Sequence, residues 1–225
     1  NYTITKRKIT VTVDGKTSAY GDEIATLTGK VTSGSVLAGD GTVYTLSTTA
    51  TSAGDVGSYD INGTCTNDNY QVTFENETDS YTVTKRAITV TVTSTSSVYG
   101  NEIAMLTGKV TEGSVLEADG TVYTLSTTAT SASNVGSYDI TGTCTNGNYQ
   151  VTFVNTADAY AITQRPVAVV IDDKTSVYGE SLVELTMNYA EGSLQLVGGQ
   201  TLTQVVTLTK AQGTDAGTYA IAGSY

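Results

Sequence analysis

One stretch that comes back constrains this chain more than any single motif. SAGDVGSYDINGTCTNDNYQVTF, Ser52 to Phe74, returns as SASNVGSYDITGTCTNGNYQVTF over Ser131 to Phe153. A worn and clipped third copy, GTDAGTYAIAGSY, runs from Gly213 to Tyr225. A chain with such a repeat folds as an array of like modules, each packed on its neighbours. Tyr20, Tyr99 and Tyr178 follow one another in steps of 79 residues, whereas Tyr138 and Tyr219 are 81 apart. The third copy therefore carries two extra residues and then stops short. The expected divisions are residues 1–5 as the closing strand of a preceding repeat, 6–84 as module 1, 85–163 as module 2, and 164–225 as an incomplete module 3.

Composition narrows what the modules can be. Hydrophobic residues make up 39% and charged residues 15%, which suits packed cores and not a solvated disordered tail. Tyr occurs 15 times against two Phe and no Trp, a balance favoured where rings pack but their polar ends stay wet. A single Pro and many β-branched residues point to strands. The net charge of −11 argues against nucleic acid, whose phosphates call for clustered Lys and Arg. No apolar run approaches the roughly 18–20 residues of a membrane helix, so no membrane insertion is expected in this segment. The chain opens in mid-strand without an initiator Met or a signal peptide, and reads as a fragment of something longer.

Taken in order, Ile9-Thr10-Val11-Thr12-Val13 alternates strictly, as a half-buried strand does. Asp14-Gly15 signals a turn, and the Gly of Tyr20-Gly21, Tyr99-Gly100 and Tyr178-Gly179 suggests positive φ or a close approach. Glu23 to Val31 is expected as strand with at most one helical turn. Gly39-Asp40-Gly41 reads as a hairpin turn between Ser35–Ala38 and Thr42–Ser47, with Gly198-Gly199 in its place in copy three. Tyr59, Ile61, Gly63 and Cys65 share one face of a strand, so Cys65 and its copy Cys144 are expected as small buried hydrophobes, with a reactive thiol or an intermolecular bridge as the alternative. Asp55-x-Gly57-x-Tyr59 has the pattern of a tyrosine corner, in which the hydroxyl ties back the preceding loop. Tyr70, Val72 and Phe74 face inward on the next strand, and Tyr81 and Val83 close the module.

The junctions carry a further sign. Apolar residues fall at odd numbers in Tyr81 and Val83 but at even ones in Ile88, Val90 and Val92, and the parity switches at Lys85-Arg86, as it does at Lys6-Arg7 and Gln164-Arg165. A one-residue slip turns the buried side to the opposite face. With no Gly/Ser/Pro linker present, one extended segment is expected to end one module and begin the next, with a core on either side, giving a stiff array.

Ala19-Tyr20-Gly21, Asp55 to Ile61, Asn69 to Phe74 and Tyr81 to Thr84, with their copies 79 residues on, together resemble the MBG-type (YGX) repeat of bacterial surface proteins. The resemblance covers essentially the whole chain and implies long, secreted or wall-attached, adhesin-like proteins in which modules stack. It implies no catalytic residues, and its link to mucus-binding proteins implies a β-grasp-like sheet. Copy three departs from it by lacking the Asn-Tyr-x-Val-Thr-Phe strand and the closing strand. The expected fold is mainly β, in tandem small β-grasp-like modules, the alternative being an immunoglobulin-like sandwich. The edge that copy three leaves open is expected to be covered by a neighbouring chain, with Asn1–Thr5 as one candidate strand.

Chemistry finds little purchase. No His is present, which removes the usual general base, the Ser-His and Cys-His sets and His metal sites. The acidic residues drift between copies, as Asp22-Glu23 becomes Asn101-Glu102 and then Glu180-Ser181. Asp55, Asp60, Asn67, Asp68 and Asn69 offer oxygens in loops, so calcium is the one cofactor considered, but Asp55 becomes Asn134 and Asp68 becomes Gly147. Lys30 and Lys109 raise an internal Lys–Asn isopeptide bond, which Asn188 at that position in copy three breaks as a common scheme. No catalytic, cofactor-binding or metal residue is assigned, and ligand-binding residues stay open. Two functions remain: a structural stalk of a surface protein whose partners are its adjacent repeats, or an adhesin that binds a host glycan or mucin-like protein. The second expects an exposed aromatic groove at Tyr44 or Tyr70 and their copies Tyr123 and Tyr149.

Overall fold

A computed structural model describes residues 1–225. Module 1 holds eight strands: β1 (Arg7–Val13), β2 (Lys16–Ala19), β3 (Gly29–Ser33), β4 (Tyr44–Thr48), β5 (Gly57–Tyr59), β6 (Ile61–Cys65), β7 (Tyr70–Glu75) and β8 (Tyr81–Thr84). They form two mixed three-stranded sheets, ordered β3-β1-β7 and β2-β8-β5, and a separate antiparallel pair, β4-β6. In each mixed sheet an early strand runs parallel to a late one: Arg7 lies opposite Tyr70, and Lys16 opposite Tyr81. Residues 7–19 and 70–84 thus travel side by side through both sheets. Parallel pairs at this place rule against the antiparallel immunoglobulin-like sandwich. The fold is mainly β, with helical turns at Glu117–Asp119 and Leu202–Val205. No helix is long and apolar enough to cross a membrane.

Alternation explains the core. On β1 the residues Ile9, Val11 and Val13 are buried, and Thr10 and Thr12 are only half so. Ile9, Val11, Val43 and Tyr70 form one cluster. The tyrosine corner is present: the Tyr59 hydroxyl donates to the Asp55 carbonyl at 2.6 Å, Tyr138 to Asn134 at 2.7 Å and Tyr219 to Asp215 at 2.8 Å. Beyond the corner the strand is not continuous. At Asp60 the chain leaves the sheet of β5 for the pair β4-β6. The Asp60 carboxylate accepts the Asp79 N–H at 2.9 Å and its carbonyl accepts the Thr48 hydroxyl at 2.7 Å, which pins the switch.

Several local expectations need correction. Asp40-Gly41 is not a hairpin turn, because β4 pairs with β6 and Ser35–Ala38 forms no strand. Strand in the Glu23–Val31 stretch begins only at Gly29. Cys65 and Cys144 are exposed free thiols. β6 ends at Cys65, where the chain turns through Asn67, so the alternation runs out from under the core. Asn1–Thr5 forms no strand, and Tyr2 and Ile4 are exposed; the matching residues of β8 are strand because β2 and β5 lie beside them.

Module 2 repeats the set as β9 (Arg86–Val92), β10 (Thr95–Val98), β11 (Gly108–Glu112), β12 (Tyr123–Thr127), β13 (Gly136–Tyr138), β14 (Ile140–Cys144), β15 (Tyr149–Val154) and β16 (Tyr160–Thr163). Its sheets are β11-β9-β15 and β10-β16-β13, with the pair β12-β14. In module 3, β17 (Val169–Ile171) pairs only with β18 (Met187–Tyr189), and β19 (Thr207–Lys210) with β20 (Ile221–Ser224). Compactness does not follow these repeats. One compact unit comprises Asn1–Thr93, Thr107–Ser126 and Thr141–Thr156; the other comprises Ser94–Leu106, Thr127–Ile140 and Ala157–Tyr225. The first unit holds all of module 1 together with the β11-β9-β15 sheet of module 2. The second holds the β10-β16-β13 sheet with module 3.

Candidate functional site at the repeat junction

The first unit is built on the link between modules 1 and 2. Only Lys85 separates β8 from β9. Tyr81 and Val83 are buried on one side of it, and Ile88, Val90 and Val92 on the other. The parity switch is therefore real, but it does not divide two cores. Val13, Tyr20, Ala50, Ile61, Tyr81 and Val83 of module 1 belong to one buried cluster with Ile88, Val90, Val122 and Tyr149 of module 2.

Tyr20 carries this core across. Gly21 holds φ of +86°, a conformation that glycine adopts freely, and turns the chain so that the Tyr20 ring meets Tyr149 edge to face at 5.7 Å. Leu116 lies on the bare glycine: a Cβ at Gly21 would come within 2.7 Å of the Leu116 Cδ1. Asp119 then fastens both rings. One of its oxygens accepts the Tyr20 hydroxyl at 3.0 Å, and the other accepts the Tyr149 hydroxyl at 2.6 Å. The Tyr149 oxygen in turn accepts the Leu116 N–H at 2.9 Å. The hydrogen bond to Asp119, then burial, raises the Tyr20 phenol above its ordinary range; burial first, then Asp119, raises Tyr149.

Arg86 closes the other flank. Its Nε donates to the Ser114 carbonyl and its Nη2 to the Ser114 hydroxyl, both at 2.9 Å. Its Nη1 reaches module 1, donating to the Tyr20 carbonyl at 3.1 Å and to the Asp22 carboxylate at 2.9 Å. A planar guanidinium can satisfy two backbone directions and a carboxylate at once, which a lysine cannot. Asn148 makes the third tie: its Oδ1 accepts the Val56 N–H and its Nδ2 donates to the Asp55 carboxylate, each at 3.0 Å.

The second unit holds a plainer version. Arg165 donates to the Tyr99 carbonyl at 3.1 Å and the Asn101 side chain at 2.9 Å, and Val197 covers Gly100. Here the ion pair has become a neutral contact. No Asp or Glu stands between Val197 and Asp215, so nothing there bridges Tyr99 as Asp119 bridges Tyr20.

The residues singled out by sequence fall elsewhere. Tyr70 and Tyr149 are buried and line no surface groove; half-buried Tyr44 and Tyr123 donate their hydroxyls to the Gly29 and Gly108 carbonyls, and Tyr44 lines an open depression with Leu27 and Leu46. Asp55 is spent on Asn148, Asp60 on Asp79, and Asn67 on the Asn69 N–H at 3.0 Å; no cluster of three or more acidic or cysteine side chains is placed to hold a metal. Lys30 and Lys109 are exposed, and the Asn188 amide donates to Asp172 at 3.0 Å. Sequence reasoning passed over Arg86, Asp119 and Asn148 as junction groups. The available signal was the Arg common to all three links, Arg7, Arg86 and Arg165, while the residue before it changes from Lys to Gln.

Two outcomes follow from this geometry. Arg86→Ala should lower stability to denaturant by about 2 kcal/mol, because charged hydrogen bonds to partly buried carbonyls are lost. Asp22→Asn should cost no more than about 0.5 kcal/mol, since the Asp22 side chain is 57% exposed; equal losses in urea titrations would refute the assignment. The raised phenols of Tyr20 and Tyr149 favour folding fully below the unfolded tyrosine pKa of about 10, and this contribution disappears as pH climbs through their folded values. Alkaline unfolding followed by tyrosinate absorbance should therefore show a late-titrating class that Asp119→Asn diminishes, and an unchanged titration in that variant would contradict the bridge.

Comparison with known proteins agrees with this reading of a repeated module. No curated protein and no solved structure matches the chain. The MBG domain (YGX type) matches residues 9–78, 88–160 and 167–225, nearly its whole length, and this is not an enzyme family. The chain belongs to the MBG domain family, YGX type, as a tandem array of three repeats.

Proposed function

We propose that this array is a non-catalytic spacer, the stalk-like repeat region of a secreted or wall-attached bacterial surface protein. It would hold a distal part of that protein away from the cell. The observation that carries the reading is the junction. A Gly/Ser linker would let neighbouring modules swivel, whereas here a single Lys85 joins two strands whose apolar faces share one core. Arg86, Asp119 and Asn148 then tie module 2 to the Tyr20–Asp22 loop and the Asp55-Val56 corner. Tyr149 and Asp55, two of the groups that could have served a ligand, are engaged at this junction instead.

Two measurements on residues 1–225 test this together. Trypsin under native conditions should leave the Lys85-Arg86 link uncut, and a glycan and mucin-component array should stay flat. Ready cleavage at that link with both modules still folded would remove the spacer account. Saturable binding abolished by replacing Tyr44 and Tyr123 together with Ala would assign the modules to adhesion.

A further inference from the structure

Tension drawn along the chain enters module 1 on β1 at Arg7 and leaves it on β8 at Thr84. Neither strand is an edge: β1 lies between β3 and β7, and β8 lies between β2 and β5. The segment that carries β1 and β2 runs parallel to the one that carries β7 and β8. Arg7 lies opposite Tyr70, Thr12 opposite Glu75, Lys16 opposite Tyr81 and Ala19 opposite Thr84. Ties between the two segments also bracket these ladders. The Arg7 N–H donates to the Asn69 carbonyl and the Lys16 N–H to the Ser80 carbonyl, both at 2.8 Å, and the Tyr20 N–H donates to the Thr84 carbonyl at 2.9 Å. Where the segments pass from one sheet to the other, the Asn76 Nδ2 donates to the Val13 carbonyl at 3.0 Å.

Parallel strands pulled from opposite ends slide along each other. Their hydrogen bonds are then loaded in shear and must give way nearly together, whereas a pair pulled open from one end loses its bonds one at a time. Drawing Arg7 back and Thr84 forward is the first case. The side chains beside these ladders, Val11, Val13, Tyr81 and Val83, are buried. Water therefore has little access to a stretched bond and cannot readily take the place of the partner it loses. Module 2 repeats both parallel pairs, with Arg86 opposite Tyr149 and Thr95 opposite Tyr160, and the Asn155 Nδ2 donates to the Val92 carbonyl at 2.8 Å.

We propose that module 1 is a load-bearing clamp, in which residues 7–19 held against residues 70–84 carry tension along the chain in shear. A spacer needs only length and stiffness; the clamp adds resistance to being pulled open. Forced unfolding is governed by the barrier to unfolding and not by equilibrium stability, so the order of the strands decides the strength. The use of the clamp under tension rests on the spacer reading, but the clamp itself is a property of the module. Weak resistance to pulling would leave the spacer reading standing, and glycan binding that removed the spacer reading would leave the clamp.

Single-molecule stretching of the full chain in two geometries tests it. With handles at the two chain ends, module 1 should yield in one abrupt event that frees the chain between Arg7 and Thr84 at once. With handles at the N-terminus and at the exposed thiol of Cys65, in a chain carrying Cys144→Ser, the module should open at a several-fold lower force. The Cys65 Sγ lies 3.7 Å from the Tyr70 carbonyl, so this handle and Arg7 sit at the same end of the β1-β7 pair, whose bonds then part in turn. Both geometries load an unaltered clamp, so the comparison does not depend on how a clamp variant folds. Lys16→Pro, which removes the donor to Ser80, should lower the end-to-end force. Tyr59→Phe, which unties the corner at Asp55, should lower the urea midpoint and leave that force unchanged. Equal forces in the two geometries, gradual low-force yielding in the end-to-end pull, or a Tyr59→Phe chain weakened as much as Lys16→Pro overturns the proposal.

Discussion

The apolar core that runs across Lys85 is the feature on which the rest of the first unit depends. A module of this length is near the small end for a self-sufficient core, because little of its surface can be hidden from water. Tyr20 and Tyr149 make up part of that deficit by burying two aromatic rings where the repeats meet. A ring carries a hydroxyl into the interior, and a buried hydroxyl left without a partner is costly. Asp119 removes that cost for both rings with one carboxylate, and the Leu116 N–H satisfies the remaining lone pair of Tyr149. Packing and polar satisfaction are thus the same device here.

The parallel pairing of early with late strands explains why the junction is stiff at its root. Tyr20 follows β2 directly, and its N–H donates to the Thr84 carbonyl at 2.9 Å at the end of β8. The loop that enters the next module and the strand that leads into it are therefore fixed by the same sheet. Arg86, the first residue of β9, then reaches back to the Tyr20 carbonyl. A backbone ladder and a guanidinium close a short loop of contacts around Lys85. Coupling of this kind between neighbours is what makes the stability of a repeat array a property of its interfaces as much as of its units.

Much of the local structure was legible in the sequence. The alternation of Ile9, Val11 and Val13, the positive φ at Gly21 and the hydroxyl tie of Tyr59 all arise from residue chemistry acting over a few positions. Partners far away in sequence were not legible. Asp40-Gly41 carries a turn signal, but β4 pairs with β6, and Asp40 serves as the acceptor of Tyr70. Cys65 follows the alternation of Tyr59 and Ile61, yet the strand changes sheets at Asp60 and ends at Cys65, so the extrapolated face is no longer inside. Tyr149 reads equally well as a binding aromatic or a core one, and only its distance to Tyr20, far off in the chain, decides. Asn148 was visible as part of a recurring motif, but its role needs Asp55 and Val56 beside it.

The central claim is that the folding unit straddles the repeat boundary, and native-state hydrogen exchange tests it most directly. Amides of β8 and β9, on either side of Lys85, should open together with one common free energy, which Arg86→Ala lowers in both strands at once. Exchange that divides at Lys85, with module 1 at one free energy and β9, β11 and β15 at another, would contradict the account and return each repeat to the status of an independent domain.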